Sequence, residues 1–562
     1  METNDINYFD MTAFRPAEAI SQSYASGSWQ AVPYTLADGT VGTMLFAYSA
    51  ERAPLLSLEL AARGFYRIYI GVNYTRTPLR HGPLCLRLER DSSFHKIDLE
   101  VAGWEADRYE IKTGRIGSMW GSIHETLWRV CDLDNDTLYV KTASPTDSES
   151  IANISSIRLE RVPEGEQSLW KGISGSKGTK ELFFQWSDEM LRGGKIHDES
   201  FYTDEFQPLI ESDAGYFVYT GVRGNACSYG TDIGDRTMSE GDPLATFAGL
   251  CRENGKRIVL EMEFGGESYP AISGVGSKFL RENRHLRKRD VGGNACGNVS
   301  FAYPEVRNHL LALVREASER YGIDGIQLNF MQGAPFSLYE ERSRDDFISA
   351  FGDDLAGVAL HDERFLQHRA GYVTRLIQEI GEYLHEAGLE LGVVVPSLKR
   401  EHHGAIAKDC DVSYWMKQRL VDWVVLDPDV KTHHTMFGRT MEIEPSFDIG
   451  GAAAVAVEDR YIEFLKSIGG TSVKIIPAIK AAAIPPHAYA DMAAAYYEQG
   501  ADGIGLLNGG FECRRVSEWS VASRLGHAEE LGSLSSLARG FFSRRELEIL
   551  NGFSVQYSFS DG

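Results

Sequence analysis

From residue 181 onward the sequence alternates short apolar runs with helical segments, and this alternation constrains the fold more than any other feature. Helical segments such as 305–322 and 372–388 repeat apolar residues near a 3.6 period and end in glycine. The apolar runs have the length of buried strands and number eight: LFFQWS (182–187), YFVYTGV (216–222), IVLEMEF (258–264), GIQLNF (325–330), LGVVVP (391–396), DWVVLDP (422–428), VKIIPAI (473–479) and GIGLLNG (503–509). This α/β pattern predicts a (β/α)8 TIM barrel, with a doubly wound open sheet as the alternative.

The first part of the chain has a different pattern. Short β-rich runs such as FYRIYIGVNY (65–74) are separated by polar or glycine-bearing turns, and no long helical period intervenes. We therefore expect an all-β sandwich domain, jelly-roll-like or immunoglobulin-like, over residues 1–162. Residues 163–180 are rich in Gly, Ser and Lys and predict a linker. The barrel then spans 181–530, and 531–562 form a carboxyl-terminal tail whose strand could pack on the sandwich.

Charge and composition narrow the classes of partner. The 562 residues carry a formal net charge of −23, with a pI of about 5.2, which argues against binding nucleic acid or anionic membranes. The basic run RENRHLRKRD (281–290) is an exception, and it is more typical of a solvated loop than of a site. The amino terminus lacks the pattern of a secretory signal, and no apolar run is long enough to span a membrane. The seven cysteines are scattered without a CxxC pair, which predicts a cytoplasmic protein; a homo-oligomer stays open.

The third predicted strand carries the most informative side chains. Alternate residues of a barrel strand point inward, and chemistry takes place at the carboxyl ends of the strands. In IVLEMEF this places Glu261 and Glu263 inside. Two acids in a barrel interior cost several kcal/mol unless they are solvated or paired. One interpretation is a general acid or base whose pKa a like charge raises; the other is an internal salt bridge with Arg223 or Lys480.

The other candidates lie at or beyond strand ends. On the fourth strand, inward parity falls on Gln327 and Asn329, whose amides can hold a sugar hydroxyl but cannot act as a usual nucleophile or general acid. An aromatic ring beside a carboxylate at the end of the first strand suits a sugar ring. No phosphate-binding loop, dinucleotide, serine-hydrolase or zincin motif appears, so we predict no cofactor and no metal. The further candidates for binding or catalysis are Trp186, Asp188, His403, Asp427, Glu444, Lys480 and Asn508.

Two runs resemble a known family. FAYPEVRNHLLALVREASERYGIDGIQLNF (301–330) and CDVSYWMKQRLVDWVVLDP (410–428) resemble the bacterial family-10-like glycosyl hydrolases, and the similarity extends in order over most of 181–530. The resemblance implies a carbohydrate-active barrel preceded by a sandwich domain. The sequence departs from the family pattern at the end of the fourth strand, where Asn329 replaces the usual Asp. The acidic positions of the related chitinase-type pattern are likewise held by Gln327, Asn329 and Met331.

Three functions follow as hypotheses. The first is a glycosidase that cleaves short oligosaccharides or glycosides, with Glu263 as general acid, Asp427 as base or nucleophile, and Glu261 tuning the pair. Trp186, Asp188, Gln327, Asn329 and Arg223 would position the sugar. The second is a catalytically silent barrel that binds carbohydrate through the same cleft. The third is a lyase or isomerase of a uronic acid, whose carboxylate Arg223, Lys480 and the basic 281–290 run could hold.

Overall fold

The computed structural model describes residues 5–23, 25–48, 53–74, 80–81, 84–97, 122–142, 150–170, 180–187, 199–237, 241–264, 277–331, 333–397, 406, 408–428, 434–436, 439–441, 457, 460–470, 472–480, 486–507 and 516–550. Antiparallel strands dominate the amino-terminal part, and strands alternate with helices from residue 181. Within the described residues, no helix has the length and apolar character needed to cross a membrane.

The strands described before residue 162 are β1 (Ile6–Tyr8), β2 (Ile20–Ser21), β3 (Trp29–Leu36), β4 (Val41–Tyr48), β5 (Leu56–Glu59), β6 (Arg63–Tyr74), β7 (Arg80–His81), β8 (Leu84–Leu88), β9 (His95–Ile97), β10 (Ser122–Asp134), β11 (Thr137–Thr142), β12 (Ser150–Ile154) and β13 (Ser156–Arg161). Those that follow are β14 (Glu181–Ser187), β15 (Ala214–Arg223), β16 (Ala226–Cys227), β17 (Asp235–Arg236), β18 (Arg257–Glu263), β19 (Arg287–Arg289), β20 (Ala295–Val299), β21 (Gly325–Asn329), β22 (Glu390–Pro396), β23 (Trp423–Asp427), β24 (His434–Met436), β25 (Arg439–Met441), β26 (Lys474–Lys480), β27 (Gly503–Leu507) and β28 (Phe542–Leu550).

The described α-helices are α1 (Glu199–Ile210), α2 (Pro243–Glu253), α3 (Lys278–Glu282), α4 (Pro304–Tyr321), α5 (Glu341–Phe351), α6 (Glu363–Glu386), α7 (Val412–Gln418), α8 (Tyr461–Gly469), α9 (Pro486–Glu498), α10 (Val516–Ala522) and α11 (Leu531–Ala538). Short 3-10 helices span Met11–Ala13, Ala17–Ala19, Glu164–Leu169, Arg284–Leu286, Leu355–Gly357 and Ala528–Glu530.

Eight parallel strands close into a barrel. They follow one another around the barrel in chain order as β14, β15, β18, β21, β22, β23, β26 and β27. The barrel is closed because β14 pairs with both β15 and β27. These are the eight strands that the sequence predicts, so the prediction of an eight-stranded barrel is confirmed and the open sheet is excluded.

The helices between the strands begin and end where local chemistry predicts. Helix α4 has Pro304 in its first turn, where the missing N–H costs no hydrogen bond, and ends at Gly322 with φ of 60°. Its apolar residues, including Leu310 and Val314, are buried against the barrel. Helix α6 begins after Asp362, whose carboxylate accepts from the backbone N–H of Arg364 at 2.9 Å.

The amino-terminal strands form two further sheets, both largely antiparallel. The larger has the order β1, β13, β6, β10, β28, β3, β4, β12, β7, and the smaller has the order β5, β11, β8, β9. Strand β28 lies inside the larger sheet, between β10 and β3, although it follows the barrel in sequence. One cluster of buried side chains draws on both sheets, for example Leu86 and Val140 from the smaller and Ile68 and Leu159 from the larger.

Ion pairs join the amino-terminal strands to the barrel. The guanidinium of Arg129 in β10 lies 2.8 Å from carboxylate oxygens of both Asp91 and Glu211, the residue that follows α1. Asp204 in α1 accepts from Lys141 Nζ at 2.8 Å. Within the predicted linker, Trp170 is buried in the same cluster as barrel residues. The ion pairs therefore attach the first barrel helix to the amino-terminal strands.

Candidate active site

Glu261 lies at the centre of a hydrogen-bond network inside the barrel. Its carboxylate is fully buried, with 0% exposure, because β18 points it into the lumen. Oε2 accepts from Gln327 Nε2 at 2.6 Å, and Oε1 accepts from Thr220 Oγ1 at 2.9 Å and from Asn329 Nδ2 at 3.3 Å. The amide of Gln185 also donates to Oε1. Strands β14, β15 and β21 thus supply four donors to one carboxylate.

The orientation of these donors is fixed by further contacts. The indole N–H of Trp423, which can only donate, reaches Gln327 Oε1 at 2.9 Å, so the amino group of Gln327 must face Glu261. Asn329 Oδ1 accepts from the backbone N–H of Met331 at 3.0 Å, which turns its amino group the same way. An ionised carboxylate only accepts hydrogen bonds, and here three donors reach Oε1 and one reaches Oε2. The arrangement therefore fits Glu261 as an anion held by amides.

Two opposing effects act on the pKa of Glu261. Burial raises the pKa because it disfavours the charged form, while the hydrogen bonds from Gln327, Thr220, Asn329 and Gln185 lower it. Burial is the larger effect, and the pKa of Glu261 is raised from its ordinary value.

Glu263 lies two residues further along β18, at the rim of the lumen. Its carboxylate lies 3.2 Å from Arg223 Nη1 on the neighbouring strand β15, and the two side chains are 13% and 12% exposed. Arg223 Nη2 also donates to the hydroxyl of Ser187 at 2.9 Å. The salt bridge with Arg223, one of the two sequence interpretations, is therefore present. Unlike Glu261, Glu263 keeps contact with solvent.

Asp427 ends β23, on another side of the same rim. The strands β21 and β22 separate β23 from β18, so Asp427 and Glu263 belong to well-separated parts of an eight-stranded circle. The carbonyl oxygen of Asp427 accepts from Ser397 N at 3.0 Å, which fixes the backbone where the strand ends. We call this rim the mouth: the carboxyl ends of the strands, where Ser187, Arg223, Glu263, Asn329 and Asp427 lie.

Buried polar groups hold the loop that follows β21 at the mouth. Lys408 Nζ donates to the carbonyl oxygen of Met331 at 2.9 Å, and Lys288 Nζ donates to that of Pro335 at 2.7 Å. The backbone N–H of Phe336 donates to Asp409 at 2.7 Å, and Asp409 also accepts from Arg369 at 2.8 Å. Because buried polar groups without partners are costly, these bonds restrict the loop to one path beside Asn329.

The opposite end of the lumen is closed by aromatic rings. Phe183 stacks on Tyr216 with ring centroids 4.1 Å apart, and both pack against Trp423. The Tyr216 hydroxyl accepts from Arg257 at 2.6 Å and from Lys474 at 3.0 Å. Burial raises the pKa of Tyr216, and the bond from Lys474 opposes that rise. Access to Glu261 from this end is blocked by side chains.

One candidate lies elsewhere than predicted. Trp186 has the outward parity of β14 and is 1% exposed. Its ring stacks near Tyr219 and Phe247 under α1 and α2, and its indole N–H donates to Glu205 at 3.1 Å. The prediction that Trp186 contacts a sugar is therefore corrected: an aromatic residue at this strand end packs helices onto the barrel.

Gln327 and Asn329 do face the lumen, but their amides are engaged by Glu261 rather than open to a ligand, and Asn329 is 7% exposed. Lys480 ends β26, and its side chain lies outside the described residues. The remaining candidates also lie outside them: Asp188, His403, Glu444 and Asn508.

Sequence reasoning missed the inward polar residues of the first two strands. Gln185, Ser187 and Thr220 each contact Glu261 or Arg223. Their signal was parity: in LFFQWS, Gln185 and Ser187 alternate with the outward Trp186. Among the described residues, no group of three or more His, Cys, Asp or Glu side chains is placed to hold a metal ion.

No protein-family model matches the chain, and no curated protein matches it. Solved structures that resemble it include a group IV chitinase of Ostrinia furnacalis, with 13% identity, a TM-score of 0.31, and coverage of 54% of this chain and 67% of that one. A chitinase from Chromobacterium violaceum has 11% identity and a TM-score of 0.34, and the match covers 61% of this chain and 98% of the chitinase. Alpha-L-fucosidase isoenzyme 2 from Paenibacillus thiaminolyticus has 12% identity and a TM-score of 0.39. The match covers 64% of this chain and 50% of the fucosidase, so this chain spans half of that protein.

These neighbours are glycoside hydrolases.

Proposed function

We propose that this chain is a glycoside hydrolase that cleaves short oligosaccharides or glycosides, with Glu263 and Asp427 as its two carboxylates. The observation that carries the proposal is their placement. Each residue ends a barrel strand at the mouth, and two strands, β21 and β22, separate the strands that carry them. The amides that bind Glu261 lie beneath them in the lumen. Glycoside hydrolysis needs one carboxyl group on each side of the scissile bond, and separate strands of one rim supply that arrangement.

The contact with Arg223 suggests a division of roles that differs from the sequence prediction. A guanidinium beside a carboxylate favours its ionised form. Glu263 then suits the base or nucleophile, which must be ionised, and Asp427 takes the role of general acid. The bond from Arg223 to Ser187 keeps the guanidinium in place while Glu263 reacts.

Glu261 acts in this proposal as a positioning residue. Four protein donors bind its carboxylate, and 0% of it is exposed, so it does not reach substrate. It orients the amide of Asn329. On β21, Asn329 is the network residue nearest the mouth, and it pairs with Glu263 of β18 in the sheet.

Sugar release tests the proposal. The full-length protein is incubated with a panel of α- and β-linked oligosaccharides and aryl glycosides, and products are separated by chromatography while NMR follows the first anomer formed. Turnover of one member that is lost in both Glu263→Gln and Asp427→Asn supports the proposal. A folded protein that cleaves none of the panel, or a Glu263→Gln variant with undiminished turnover, overturns it.

A catalytically silent carbohydrate-binding barrel is the second candidate, and the fourth strand favours it. Amides stand at 327 and 329, and both are engaged in holding Glu261 rather than in acid–base chemistry. This candidate predicts that one sugar raises the melting temperature without being cleaved, and that Glu263→Gln keeps the shift.

The wider assignments are also proposals. We propose that the antiparallel sheets of residues 1–162 form a jelly-roll-like β-sandwich domain, because one apolar cluster joins both sheets. On this division 163–180 are the linker, 181–530 the catalytic barrel, and 531–562 a tail whose strand β28 completes the sandwich. The relationship to family-10-like glycosyl hydrolases rests on the two sequence runs given above. The cytoplasmic location and a homo-oligomer stay predictions.

A further inference from the structure

A short hairpin beside the mouth begins within the basic run of the sequence, residues 281–290. Strands β19 and β20 pair antiparallel and lie in the connection from β18 to α4. Because β18 ends with Glu263, this connection starts at the mouth. We call residues 287–299 the arginine hairpin.

Specific bonds fasten the arginine hairpin to the loop that follows Asn329. Lys288 is buried, and its amine donates to the carbonyl oxygens of Gly333 at 3.1 Å and of Pro335 at 2.7 Å. The backbone N–H of Tyr339 donates to the carbonyl oxygen of Arg289 at 2.9 Å. The hairpin is therefore a fixed part of the wall beside the mouth.

Its arginines are placed differently from Lys288. On β19 the side chain of Lys288 is buried, whereas Arg287 and Arg289 on either side of it are partly exposed. Arg287 Nε donates to the carbonyl oxygen of Gly297 at 3.1 Å, and Arg289 Nη1 donates to that of Gly293 at 2.8 Å. Arg284, just before the hairpin, is exposed.

Several arginines elsewhere in the described structure pair with carboxylates instead. Arg129, Arg223 and Arg369, for example, each lie within 3.2 Å of a carboxylate. In a chain with 80 acidic residues and a net charge of −23, Arg287 and Arg289 are instead braced by carbonyls. A carbonyl fixes the direction of a guanidinium without neutralising its charge, and the remaining N–H groups stay suited to bidentate binding of an anion.

We propose that the arginine hairpin binds anionic groups, carboxylate or sulfate, of a saccharide that extends from the mouth. This rests on the proposed function in one respect: the neutral end of the saccharide would occupy the mouth. The class of substrate is then an acidic oligosaccharide rather than a neutral one. Guanidinium pairs recognise both carboxylate and sulfate oxygens, so the two sources are separated by experiment.

Binding, rather than turnover, is the test. Titration calorimetry at low salt compares oligogalacturonate, a sulfated oligosaccharide and a neutral oligosaccharide of matched length, using the full-length protein. The test variant is Arg287→Gln with Arg289→Gln. The control is Arg342→Gln with Arg344→Gln, which removes the same charge from exposed arginines of α5 that pair with Asp346 and Asp354.

We expect an anionic oligosaccharide to bind the wild type and the control equally, and the test variant at least about tenfold more weakly, since two charge-assisted contacts are lost. Raising the salt concentration should weaken binding to the wild type. A preference for oligogalacturonate identifies carboxylate as the ligand, and a preference for the sulfated sugar identifies sulfate. Equal binding of the neutral sugar, no anionic binding, or an equal loss in the control each overturns the inference.

The two proposals fail separately. Binding of an anionic sugar without cleavage of any glycoside keeps the arginine hairpin as a binding site and rejects the hydrolase. Cleavage of neutral glycosides with no binding of anionic ones keeps the hydrolase and rejects the arginine hairpin.

Discussion

The two ends of the barrel lumen are built from the same strands but from opposite chemistry. At the amino end, Phe183, Tyr216 and Trp423 fill the interior with stacked rings. At the carboxyl end, the interior holds Glu261 and the amides that bind it. Trp423 contributes to both ends, since its ring packs against Tyr216 and its indole N–H donates to Gln327.

This difference in chemistry shows which end of the lumen is explained by its contribution to stability. Aromatic burial stabilises a barrel, and the rings at the amino end need no further reason. A buried carboxylate costs several kcal/mol of desolvation, which its donors only partly return. Apolar residues could fill the carboxyl end at lower cost. Packing alone therefore does not account for the polar network at the carboxyl end.

The largest expected effect is on turnover at the mouth. If Glu263 and Asp427 carry the chemistry, Glu263→Gln and Asp427→Asn should each lower kcat by about 10²- to 10⁴-fold, the usual contribution of an acid or base. Tyr216→Phe, at the amino end, removes a hydroxyl that contacts Arg257 and Lys474 and should leave kcat within about twofold. Initial rates on the cleaved substrate measure all three. A Tyr216→Phe loss as large as the Glu263→Gln loss would erase the distinction between the two ends.

The next effect is on stability at the amino end. Phe183→Ala should lower the free energy of unfolding by about 3–5 kcal/mol, because it empties the stack against Tyr216 and Trp423. Ile348→Ala is the control: this side chain is 43% exposed, and the change should be within about 0.5 kcal/mol. Urea unfolding followed by circular dichroism gives both values. A loss below about 1 kcal/mol for Phe183→Ala would contradict the packing role.

A smaller loss of stability is expected at the carboxyl end. Glu261→Gln replaces an acceptor-only carboxylate with an amide whose amino group must face other donors, so we expect a loss of about 3 kcal/mol. Thr220→Val removes one donor and should cost about 1 kcal/mol. Urea unfolding again measures both. Unchanged stability in Glu261→Gln would show that Glu261 is not held as an anion by these donors.

Local periodicity was enough to predict the barrel and the inward faces of two strands. The eight apolar runs define the strands, and parity alone places Glu261, Gln327 and Asn329 in the lumen. The pairing of Glu263 with Arg223 also appeared among the sequence alternatives, because both residues end neighbouring strands. These features depend on spacing within one strand or between adjacent strands.

The partners of Glu261 could not be predicted in the same way. Trp423 reaches Gln327 across 96 residues of sequence, and no local pattern signals which indole orients which amide. Trp186 was misplaced for a related reason: a ring at a strand end suits either a sugar or a helix, and only its packing under α1 and α2 decides. The amide of Gln185 beside it has no local sequence signal beyond its inward parity.

The smallest expected effect is a pH dependence that separates the two ends. Burial raises the pKa of Glu261 above its ordinary value of 4.5, so the folded protein holds this proton more tightly than the unfolded chain. Its contribution to stability is full below about pH 4.5 and is lost as the pH rises through the folded pKa, with a slope of at most about 1.4 kcal/mol per pH unit.

Glu261→Gln abolishes this titration. The stability of the wild type minus that of Glu261→Gln should therefore shrink as the pH rises from 4.5, whereas the difference between the wild type and Phe183→Ala should stay level. Acids distant from Glu261 titrate equally in all three proteins and cancel in the differences. A series of urea titrations between pH 4.5 and 8 measures both. The contrary outcome is a stability difference between the wild type and Glu261→Gln that widens as the pH rises. The hydrogen bonds from Gln185, Thr220, Gln327 and Asn329 would then outweigh burial. The folded protein would in that case stabilise the ionised form of Glu261 relative to the unfolded chain.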